Sequence, residues 1–333
     1  MNSFGRIFRV HIFGESHGES VGIVIDGCPA GLPLSEDDLL PDLERRKGGK
    51  QKGTTPRQEA DYPFFKSGVF NGKTTGAPIT ILFENNNTRS GDYEKQRSFP
   101  RPGHADMVAH QKYGGNEDYR GGGHFSARLT TGLVAAGAIA KKLMPGVMIE
   151  AAVKEIGGEA DLEKGLQKAI DAKDSIGGLV ECRVNGLPVG LGEPFFDSVE
   201  SQLAHIAFAI PAVKGVEFGS GFAAAKMFGT QHNDAIENME GKTRSNHAGG
   251  VVGGISNGNE LVYRIAIKPT ASTPKEQNSL NWETGQVENF SVKGRHDLCV
   301  ALRAPVILEA ATAVALVDLY LLEQHSKRVV SPQ

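Results

Sequence analysis

The sequence predicts an α+β fold in which helices pack against antiparallel sheets. Strand-like runs are bounded by hairpin signals, of which Asn71-Gly72 is the clearest. Amphipathic helical stretches are interspersed between these runs, and no period of roughly 20 to 50 residues repeats along the chain. With 333 residues the chain is long enough for one large domain or two, and no convincing linker divides it.

The composition is that of an ordinary soluble protein, with 39% hydrophobic and 23% charged residues. A net charge of −3 excludes a global attraction to nucleic acid or to a membrane surface. Cys28, Cys182 and Cys299 are scattered without a CxxC motif, which predicts reduced core thiols in a cytoplasmic protein. Residues 1–10 lack the apolar core of a signal peptide, so none is expected.

The first candidate element is the turn Gly14-Glu15-Ser16-His17-Gly18, which leads into a predicted buried strand at residues 21–25. Ser35 is then expected to cap a helix, with Asp38 three residues later completing a capping box. That helix runs to the cations Arg45-Arg46-Lys47 and stops at Gly48-Gly49. The basic run that follows is typical of a solvated loop.

Residues 76–83 are predicted to form a strand, and residues 85–101 a polar loop. A glycine-rich turn at residues 119–128 then feeds a helix predicted over residues 129–144. Free N–H groups and the dipole at a helix N-terminus favour negative charge, so this turn is a candidate anion site. Arg128 in the first turn opposes the dipole, which we interpret as a sign of a bound anion.

In the middle of the chain, a short helix is predicted over residues 162–173. Asp197 and Glu200 are expected to form a capping box that opens an amphipathic helix ending at Pro211. Residues 219–224 fit a relaxed dinucleotide-binding fingerprint, but the long helix that should follow is missing, so we treat the match as chance.

Towards the C-terminus, residues 261–267 alternate like a half-exposed strand. The apolar run at residues 305–322 carries Glu309 and Asp318. Two carboxylates in such a run predict a buried helix rather than a membrane span.

The candidate functional residues share one setting, because they stand in glycine-rich turns rather than on charged helix faces. They are His17, His104, Arg46, Arg101, Arg128, Arg295 and Asp297. Several arginines converging from turns indicate a polyanionic small ligand, since a guanidinium binds phosphate or carboxylate through two parallel hydrogen bonds. Histidines add groups that move protons near neutral pH. No zinc-like spacing and no acidic cluster for magnesium is present, so no metal is expected.

Two other interpretations stay open on the residues alone. The pentapeptide at 14–18 fits GxSxG, the nucleophile elbow of serine hydrolases, although that elbow should lead into a helix and here leads into a strand. A non-enzymatic anion-binding module is the second alternative. Such a module would need the arginines but not the paired histidines.

Seven motifs together resemble the chorismate synthase family along nearly the whole chain. In order, they are GESHG at 14–18, the Arg45-Arg46 helix end, RPGHAD at 101–106, YRGGG…SAR at 119–128, SNHAGG at 245–250, KPTAS at 268–272 and GRHD at 294–297. Seven motifs in the family's order are far more specific than any one of them.

The resemblance implies a layered β-α-β sandwich, with central helices between antiparallel sheets, as a single catalytic domain over residues 1–333. It implies a lyase that eliminates phosphate from 5-enolpyruvylshikimate 3-phosphate to give chorismate. Reduced FMN would be required without net redox change, and the subunits would form a homotetramer. Whether the chain reduces the flavin itself with NADPH is left open. No credible nicotinamide site is present, so an external flavin reductase is the expected source.

The resemblance also implies roles for individual residues. His17 would protonate the departing phosphate, and His104 would stabilise the reduced flavin at its N1 edge. Ser16, Ser126 and Asp297 would lie on the flavin N5 side, where the substrate proton is received. The expected substrate-binding residues are Arg46, Lys52, Arg101, Arg128 and Arg295. The expected flavin-binding residues are His124, Phe125, Ser126, Pro211, Ala212, Gly253, Lys268, Pro269, Thr270, Ala271, Ser272 and Arg295.

This sequence departs from the commonest family pattern at three places. It has His124-Phe125-Ser126 where Arg-Ser-Ser is frequent, and Pro211-Ala212 where Asn-Ala is frequent. Lys52 stands where an arginine is frequent, which keeps the charge but loses the bidentate fork. Arg46, Lys52, Arg57 and residues 85–101 are expected to become ordered only around bound ligand, because these segments have little apolar surface.

Overall fold

The computed structural model describes residues 2–49, 52–55, 59–86, 98–292 and 296–325. The strands are β1 Ser3–Phe4, β2 Arg9–Gly14, β3 Ser20–Asp26, β4 Phe64–Ser67, β5 Val69–Phe70, β6 Lys73–Thr74, β7 Ile79–Glu84, β8 Met148–Ile156, β9 Gly178–Asn185, β10 Val213–Phe218, β11 Val251–Val252, β12 Ile255–Ser256, β13 Leu261–Ile267, β14 Gln277–Leu280 and β15 Val287–Phe290. The α-helices are α1 Leu40–Arg46, α2 Asp106–Tyr113, α3 Thr130–Lys142, α4 Leu162–Ala172, α5 Val199–Ala209, α6 Gly229–His232 and α7 Ala304–His325.

The N-terminal sheet has the strand order β1-β2-β3-β7-β4 and is antiparallel throughout. Ile23 lies at its centre, opposite Ile12 on one side and Ile81 on the other. Every second residue of β3 and β7 from Val21 and Ile79 onward is buried, so one face of this sheet is apolar. The strands predicted at residues 21–25 and 76–83 are therefore present with small shifts of their ends.

The second large sheet has the strand order β10-β13-β9-β8 and is also antiparallel. Its strand β13 pairs on both sides, and Tyr263 at its centre is fully buried opposite Cys182. The strand predicted at residues 261–267 is present with the same ends and is half-exposed as predicted. Every second residue from Leu261 to Ile267 is buried, whereas the other face passes from buried Val262 to exposed Ala266. Two-stranded hairpins β5-β6, β11-β12 and β14-β15 complete the sheets of the described chain.

Helices α3 and α7 join the two sheets. Helix α3 packs on β2, β3 and β7, while α7 packs on β8 and β9, and the two helices also pack against each other. Gly137 permits their close approach, because a Cβ at this position would lie 2.3 Å from Ala310. One hydrophobic cluster thus extends through both sheets and both helices.

Helix α7 is apolar and long enough to cross a membrane, but it lies mostly inside the structure, as predicted. Its two carboxylates have internal partners. Glu309 accepts hydrogen bonds from Arg45 and Lys141, and Asp318 accepts them from the backbone N–H groups of residues 6–8. These bonds make the carboxylates compatible with burial.

Local capping predictions had mixed outcomes. Asp38 accepts from the backbone N–H of Ser35 at 2.8 Å, so the predicted capping box is present, but it opens a 3₁₀ turn at Glu36–Asp38 and α1 itself begins at Leu40. The predicted box at Asp197 is wrong, because the N-cap of α5 is Ser198, whose hydroxyl accepts from the N–H of Ser201 at 3.0 Å. Asp197 instead forms an ion pair with Arg6.

Candidate active site

The described chain contains a cavity of about 690 Å³ that is lined by turns from many parts of the sequence. Its size lies within the range of small-molecule sites. The candidate residues that line it are Ser16, His17, Arg46, Arg101, His104, His124, Phe125, Ser126, Arg128, Pro211, Ala212, Lys268, Pro269, Thr270, Ala271, Ser272 and Asp297. The structure therefore brings together candidates that are up to 281 residues apart in sequence, with Ser16 and Asp297 at the extremes.

Two of the described candidate residues are not among those that line the cavity. Gly253 lies in the exposed turn of the β11-β12 hairpin. Lys52 is exposed and donates to Gln167 Oε1 at 3.3 Å. Arg295 lies outside the described residues, as do Arg57 and residues 87–97 of the polar loop.

Ser16 and His17 are buried in the turn between β2 and β3. Ser16 Oγ lies 3.0 Å from His17 Nδ1, and Ser16 N–H donates to the Gly123 carbonyl. Gly121 packs directly on His17, since a Cβ there would lie 2.3 Å from the imidazole Cε1. The pentapeptide leads into strand β3 rather than into a helix, so the serine hydrolase interpretation lacks the architecture that it needs.

A second cluster surrounds the Asp106 carboxylate at the start of α2. Arg101 donates to it through Nε at 2.7 Å and Nη2 at 2.8 Å, and His104 Nδ1 lies 2.5 Å from Oδ1. Burial raises the pKa of Asp106, but the bonds from Arg101 and His104 outweigh it and hold that pKa well below its usual range. Asp106 is therefore ionised and accepts from both neighbours.

A third cluster surrounds the buried Asp61 carboxylate. Arg46 Nη1 donates to Asp61 Oδ2 at 3.1 Å, and Arg128 Nη1 donates to the other carboxylate oxygen. Arg128 also donates to Asn85 Oδ1 at 2.9 Å. The anion expected near Arg128 is thus a carboxylate of the chain itself, and no bound anion is needed to explain the arginine at this helix start.

The remaining donors of Arg46 also have partners. Its Nε donates to Thr130 Oγ1 at 3.0 Å, and its Nη2 donates to the carbonyls of Ala127 and Arg128. Burial lowers the pKa of Arg46 to about 9, while Asp61 opposes this shift, so the guanidinium stays charged at neutral pH. The expectation that Arg46 becomes ordered only around ligand is wrong, because these contacts already hold it.

Asp297 precedes α7 and faces the cavity with both oxygens engaged. Oδ1 accepts from the backbone N–H of Thr55 at 2.8 Å, and Oδ2 accepts from Arg303 Nη1 at 3.0 Å. Arg303 also donates to the Arg46 carbonyl at 3.1 Å, which ties Asp297 to the end of α1. The side chain of Asp297 is therefore fixed in position.

The segment 123–129 forms one wall of the cavity as two short 3₁₀ turns before α3. His124 Nδ1 lies 2.8 Å from the Gly14 carbonyl, so this nitrogen carries the proton. Ser126 caps the second turn, and its Oγ accepts from the N–H of Arg128 at 3.2 Å. The ring of Phe125 is partly exposed.

Residues 268–272, which follow β13, also line the cavity. Lys268 Nζ donates to the Gly103 carbonyl at 2.8 Å, and burial together with Lys214 lowers its pKa. Ser272 Oγ accepts from Arg101 Nη1 at 3.3 Å. Ala212 adopts a left-handed φ of 74°, and its carbonyl accepts from the Lys268 N–H. These residues are thus tied to the Asp106 cluster.

Sequence reasoning missed several charged residues in or beside this site, among them Asp61, Asp106 and Arg303. Asp106 stands inside the RPGHAD motif, so its nearness to His104 was a usable signal. Asp61 carries no comparable signal, because Arg128 is 67 residues away. Arg303 stands only six residues after Asp297, but it lies outside the GRHD motif. No cluster of potential metal ligands occurs among the described residues.

Comparisons with known proteins agree with each other. A sequence model described as chorismate synthase matches residues 8–321. A protein named chorismate synthase from Chitinophaga pinensis is 71% identical over 330 residues, covering 99% of each chain. One from Dehalococcoides mccartyi is 44% identical over 360 aligned positions, again covering 99% of each. A solved structure titled as a chorismate synthase crystal structure has a TM-score of 0.72 at 29% identity, covering 96% of this chain and 93% of the other.

Proposed function

This chain belongs to the chorismate synthase family and is a carbon–oxygen lyase of the shikimate pathway, and we propose that its large cavity is the active site. The reaction eliminates phosphate from 5-enolpyruvylshikimate 3-phosphate to give chorismate. The observation that carries the proposal is that guanidinium and imidazole groups from separate turns line one cavity. A leaving phosphate and the two carboxylates of the substrate need such a cationic surrounding.

Protonation of the leaving phosphate is assigned to His17. Ser16 Oγ lies against Nδ1, so Nε2 is the nitrogen that would meet the phosphate. Gly121 holds the imidazole from behind, which fixes its position before substrate arrives. His17 acts as a general acid in this proposal, and Ser16 needs no activation as a nucleophile.

Binding of the substrate anions is assigned to Arg46, Arg101 and Arg128. Most of their N–H groups are already bonded to protein acceptors, so a full bidentate clamp from each is not available. Their contribution is then mainly the positive potential of a water-poor cavity, with Arg303 adding to it. The roles expected for Lys52 and Arg295 stay predictions.

Reduced FMN is the proposed cofactor, and the lining fits it chemically. Apolar side chains suited to a flat ring are Phe4, Val10, Ile12, Leu133, Ile206 and Ala209. Residues 268–272, with Pro211, Ala212 and the turn at His124–Ser126, would hold the ring and its phosphate. When bound, reduced FMN supplies an electron-rich ring that supports departure of the phosphate without net redox change.

The other polar groups of the cavity are assigned to the proton taken from the substrate and to the charge of the flavin. Ser126 and Asp297, with Ser16, are the groups proposed to handle that proton. Asp297 is supported by its fixed orientation between Thr55 and Arg303. His104 is proposed to stabilise the reduced flavin through Nε2, since Nδ1 is engaged by Asp106.

The finer description of the molecule is also a proposal. We infer a single domain over residues 1–333 with layered β-α-β architecture, which is supported by helices α3 and α7 packing on different sheets and on each other. Three buried free cysteines support a cytoplasmic location. An external flavin reductase is the proposed source of reduced FMN, rather than NADPH bound by this chain.

A homotetramer is proposed because bulky apolar side chains are exposed on one part of the chain. They are Phe195, Phe196, Phe222, Phe228, Ile236 and Met239. A monomer rarely leaves so many large apolar side chains in water. Gly253 would contact flavin only if the β11-β12 hairpin of one subunit reaches the cavity of another. Light scattering of the purified protein tests the assembly, and a monomer at micromolar concentration would contradict it.

The test of the proposed function is anaerobic phosphate release from 5-enolpyruvylshikimate 3-phosphate. We expect release with reduced FMN, none with oxidised FMN or without flavin, and no consumption of the flavin. Equal release under all three conditions would contradict the cofactor assignment.

Alanine replacements of His17 and His104 are expected to impair different parts of the reaction. His17→Ala should slow phosphate release by about 10²–10⁴ while the titration of bound reduced flavin stays unchanged. His104→Ala should lower turnover and also shift that titration. Loss of activity in step with loss of melting temperature would instead indicate structural histidines.

A further inference from the structure

The geometry around His104 fixes which of its ring nitrogens carries a proton. Nδ1 lies 2.5 Å from Asp106 Oδ1 and 3.1 Å from Arg101 Nη2. An ionised carboxylate can only accept a hydrogen bond, so a contact of 2.5 Å requires the proton to sit on Nδ1.

Arg101 does not change this assignment. A protonated Nδ1 has no lone pair for the guanidinium, and Nη2 has other acceptors in Asp106 Oδ1 and the Gly121 carbonyl, each at 2.8 Å. Arg101 therefore acts on the carboxylate, which it holds from the far side through Nε at 2.7 Å. The backbone N–H of Arg101 donates to the same carboxylate at 2.9 Å.

We infer that Asp106 is a positioning residue for the reaction, because it holds His104 in the Nδ1–H tautomer and leaves Nε2 for the ligand in the cavity. Four hydrogen bonds converge on this carboxylate, three from Arg101 and one from His104. No described residue other than Asp106 offers Nδ1 an acceptor at hydrogen-bonding distance. The orientation of the imidazole is thus set before any ligand binds.

The expected effect on turnover rests on the proposed role of His104, but the expected tautomer does not. The tautomer is a property of the protein without ligand, and it can be measured there. Failure of the inference and failure of the proposed function are therefore separable in one set of samples.

The measurement is the ¹⁵N spectrum of ring-labelled histidine in the ligand-free protein at about pH 8.5, where an ordinary imidazole is neutral. The His104 signals are assigned by their absence from His104→Ala. We expect Nδ1–H in the wild type and a shift towards Nε2–H in Asp106→Asn, because the amide can turn an N–H donor towards Nδ1. If the wild-type spectrum shows the proton of His104 on Nε2, the inference is overturned without any variant. The inference can therefore be tested even if Asp106→Asn does not fold.

Turnover is measured on the same variants with reduced FMN. Turnover of Asp106→Asn should fall by at least about 10²-fold and at most as far as that of His104→Ala. The change in its melting temperature should be too small to explain this loss. Asp106→Glu keeps the carboxylate and should regain part of the rate and the Nδ1–H signal. A tautomer that changes while turnover persists overturns the inference. Full turnover in His104→Ala instead removes the catalytic role of His104 itself.

Glu117→Gln is the matched control. Glu117 Oε1 lies 3.1 Å from Nδ1 of His110, an exposed imidazole of α2. The same chemical change there should alter the His110 signals and leave both the His104 signals and turnover unchanged. A loss of turnover equal to that of Asp106→Asn would show that the effect is not specific to His104.

Discussion

The Asp61 and Asp106 clusters differ in burial, although in each of them one carboxylate accepts hydrogen bonds from two side chains of the same cavity. In the Asp61 cluster the side chains of Arg46, Asp61 and Arg128 are exposed by only 3%, 2% and 6%. In the Asp106 cluster, Asp106 and His104 are exposed by 22% and 21%. The Asp61 cluster is therefore buried away from water, and the Asp106 cluster is partly exposed to it.

The two clusters also differ in the groups that they combine. Both cations at Asp61 are guanidiniums, which keep their charge across the physiological range. One partner of Asp106 is an imidazole, whose two ring nitrogens can each donate or accept a hydrogen bond. The cavity therefore combines fixed positive charge at one place with a proton-transferring group at another. This division suits a reaction that must both hold an anion and handle protons.

The largest expected effect is that of Asp61→Asn on stability. Asparagine tolerates the left-handed φ of 51° found at Asp61, so the change removes charge and little else. Two buried guanidiniums would lose their counter-ion, which costs about 3–5 kcal/mol. We expect a fall in the melting temperature on the order of 10 °C.

Asp26→Asn is the control for that experiment, because Asp26 forms an exposed ion pair with Arg9. Exposed pairs contribute about 1 kcal/mol or less, so this variant should melt close to the wild type. Equal melting temperatures for the two variants would mean that Asp61 does not stabilise the fold as the buried counter-ion of Arg46 and Arg128.

The next effect is the pH dependence of Asp106→Asn. The folded-state pKa of Asp106 is depressed, so its stabilisation is present above its unfolded pKa of about 3.9 and is lost as the pH falls through the folded pKa. The melting temperature of the variant should lie a few degrees below the wild type at neutral pH. That difference should shrink below about pH 4. A difference that grows as the solution becomes acidic would have the wrong sign.

A smaller loss of stability is expected for Gly121→Ala. Gly121 has a left-handed φ of 68°, where alanine costs about 1–2 kcal/mol. The new methyl group would also displace His17, so turnover should fall further than stability. Gly285→Ala is the control, because Gly285 has a φ of 69° and no atom within 4 Å of an added Cβ. If the two variants lose the same fraction of turnover, contact with His17 is not what Gly121 provides.

The smallest expected effect is a difference between the two clusters in how their stabilisation responds to salt. Raising the ionic strength towards about 1 M shortens the screening length to about 3 Å. The difference in melting temperature between wild type and Asp106→Asn should shrink, since this cluster is partly exposed. The difference for Asp61→Asn should persist, because buried pairs are screened much less. Equal salt responses would contradict the contrast in burial.

Local chemistry made part of the fold predictable. Asn71 and Gly72 adopt φ values of 50° and 69°, as the hairpin signal requires. The apolar run at residues 305–322 lies within the buried helix α7. The N-cap at Ser198 was missed by one residue, because Asp197 and Ser198 are both good caps and a contact with Arg6 engages Asp197. Such choices between neighbours depend on distant parts of the chain.

The site was predictable as a set of residues but not as a set of contacts. The family resemblance pointed to Arg46, Arg101 and Arg128 as substrate-binding residues, and it gave no indication of their partners within the chain, Asp61 and Asp106. Arg128 and Asp61 are 67 residues apart, and nothing local to either residue specifies the pair. Arg46, Arg101 and Arg128 do line one cavity, whereas their role in clamping the substrate stays a prediction.

The contact between Asp318 and residues 6–8 has a consequence for synthesis. The backbone N–H groups of residues 6–8 donate to the Asp318 carboxylate, which is synthesised about 310 residues later. At a translation rate of about 5–20 residues per second, the delay is roughly 15 to 60 s. Throughout this time helix α7 has not emerged, so the apolar faces that it covers stay open on the ribosome. Nascent chains of this protein are therefore expected to need chaperone cover until the last helix is released.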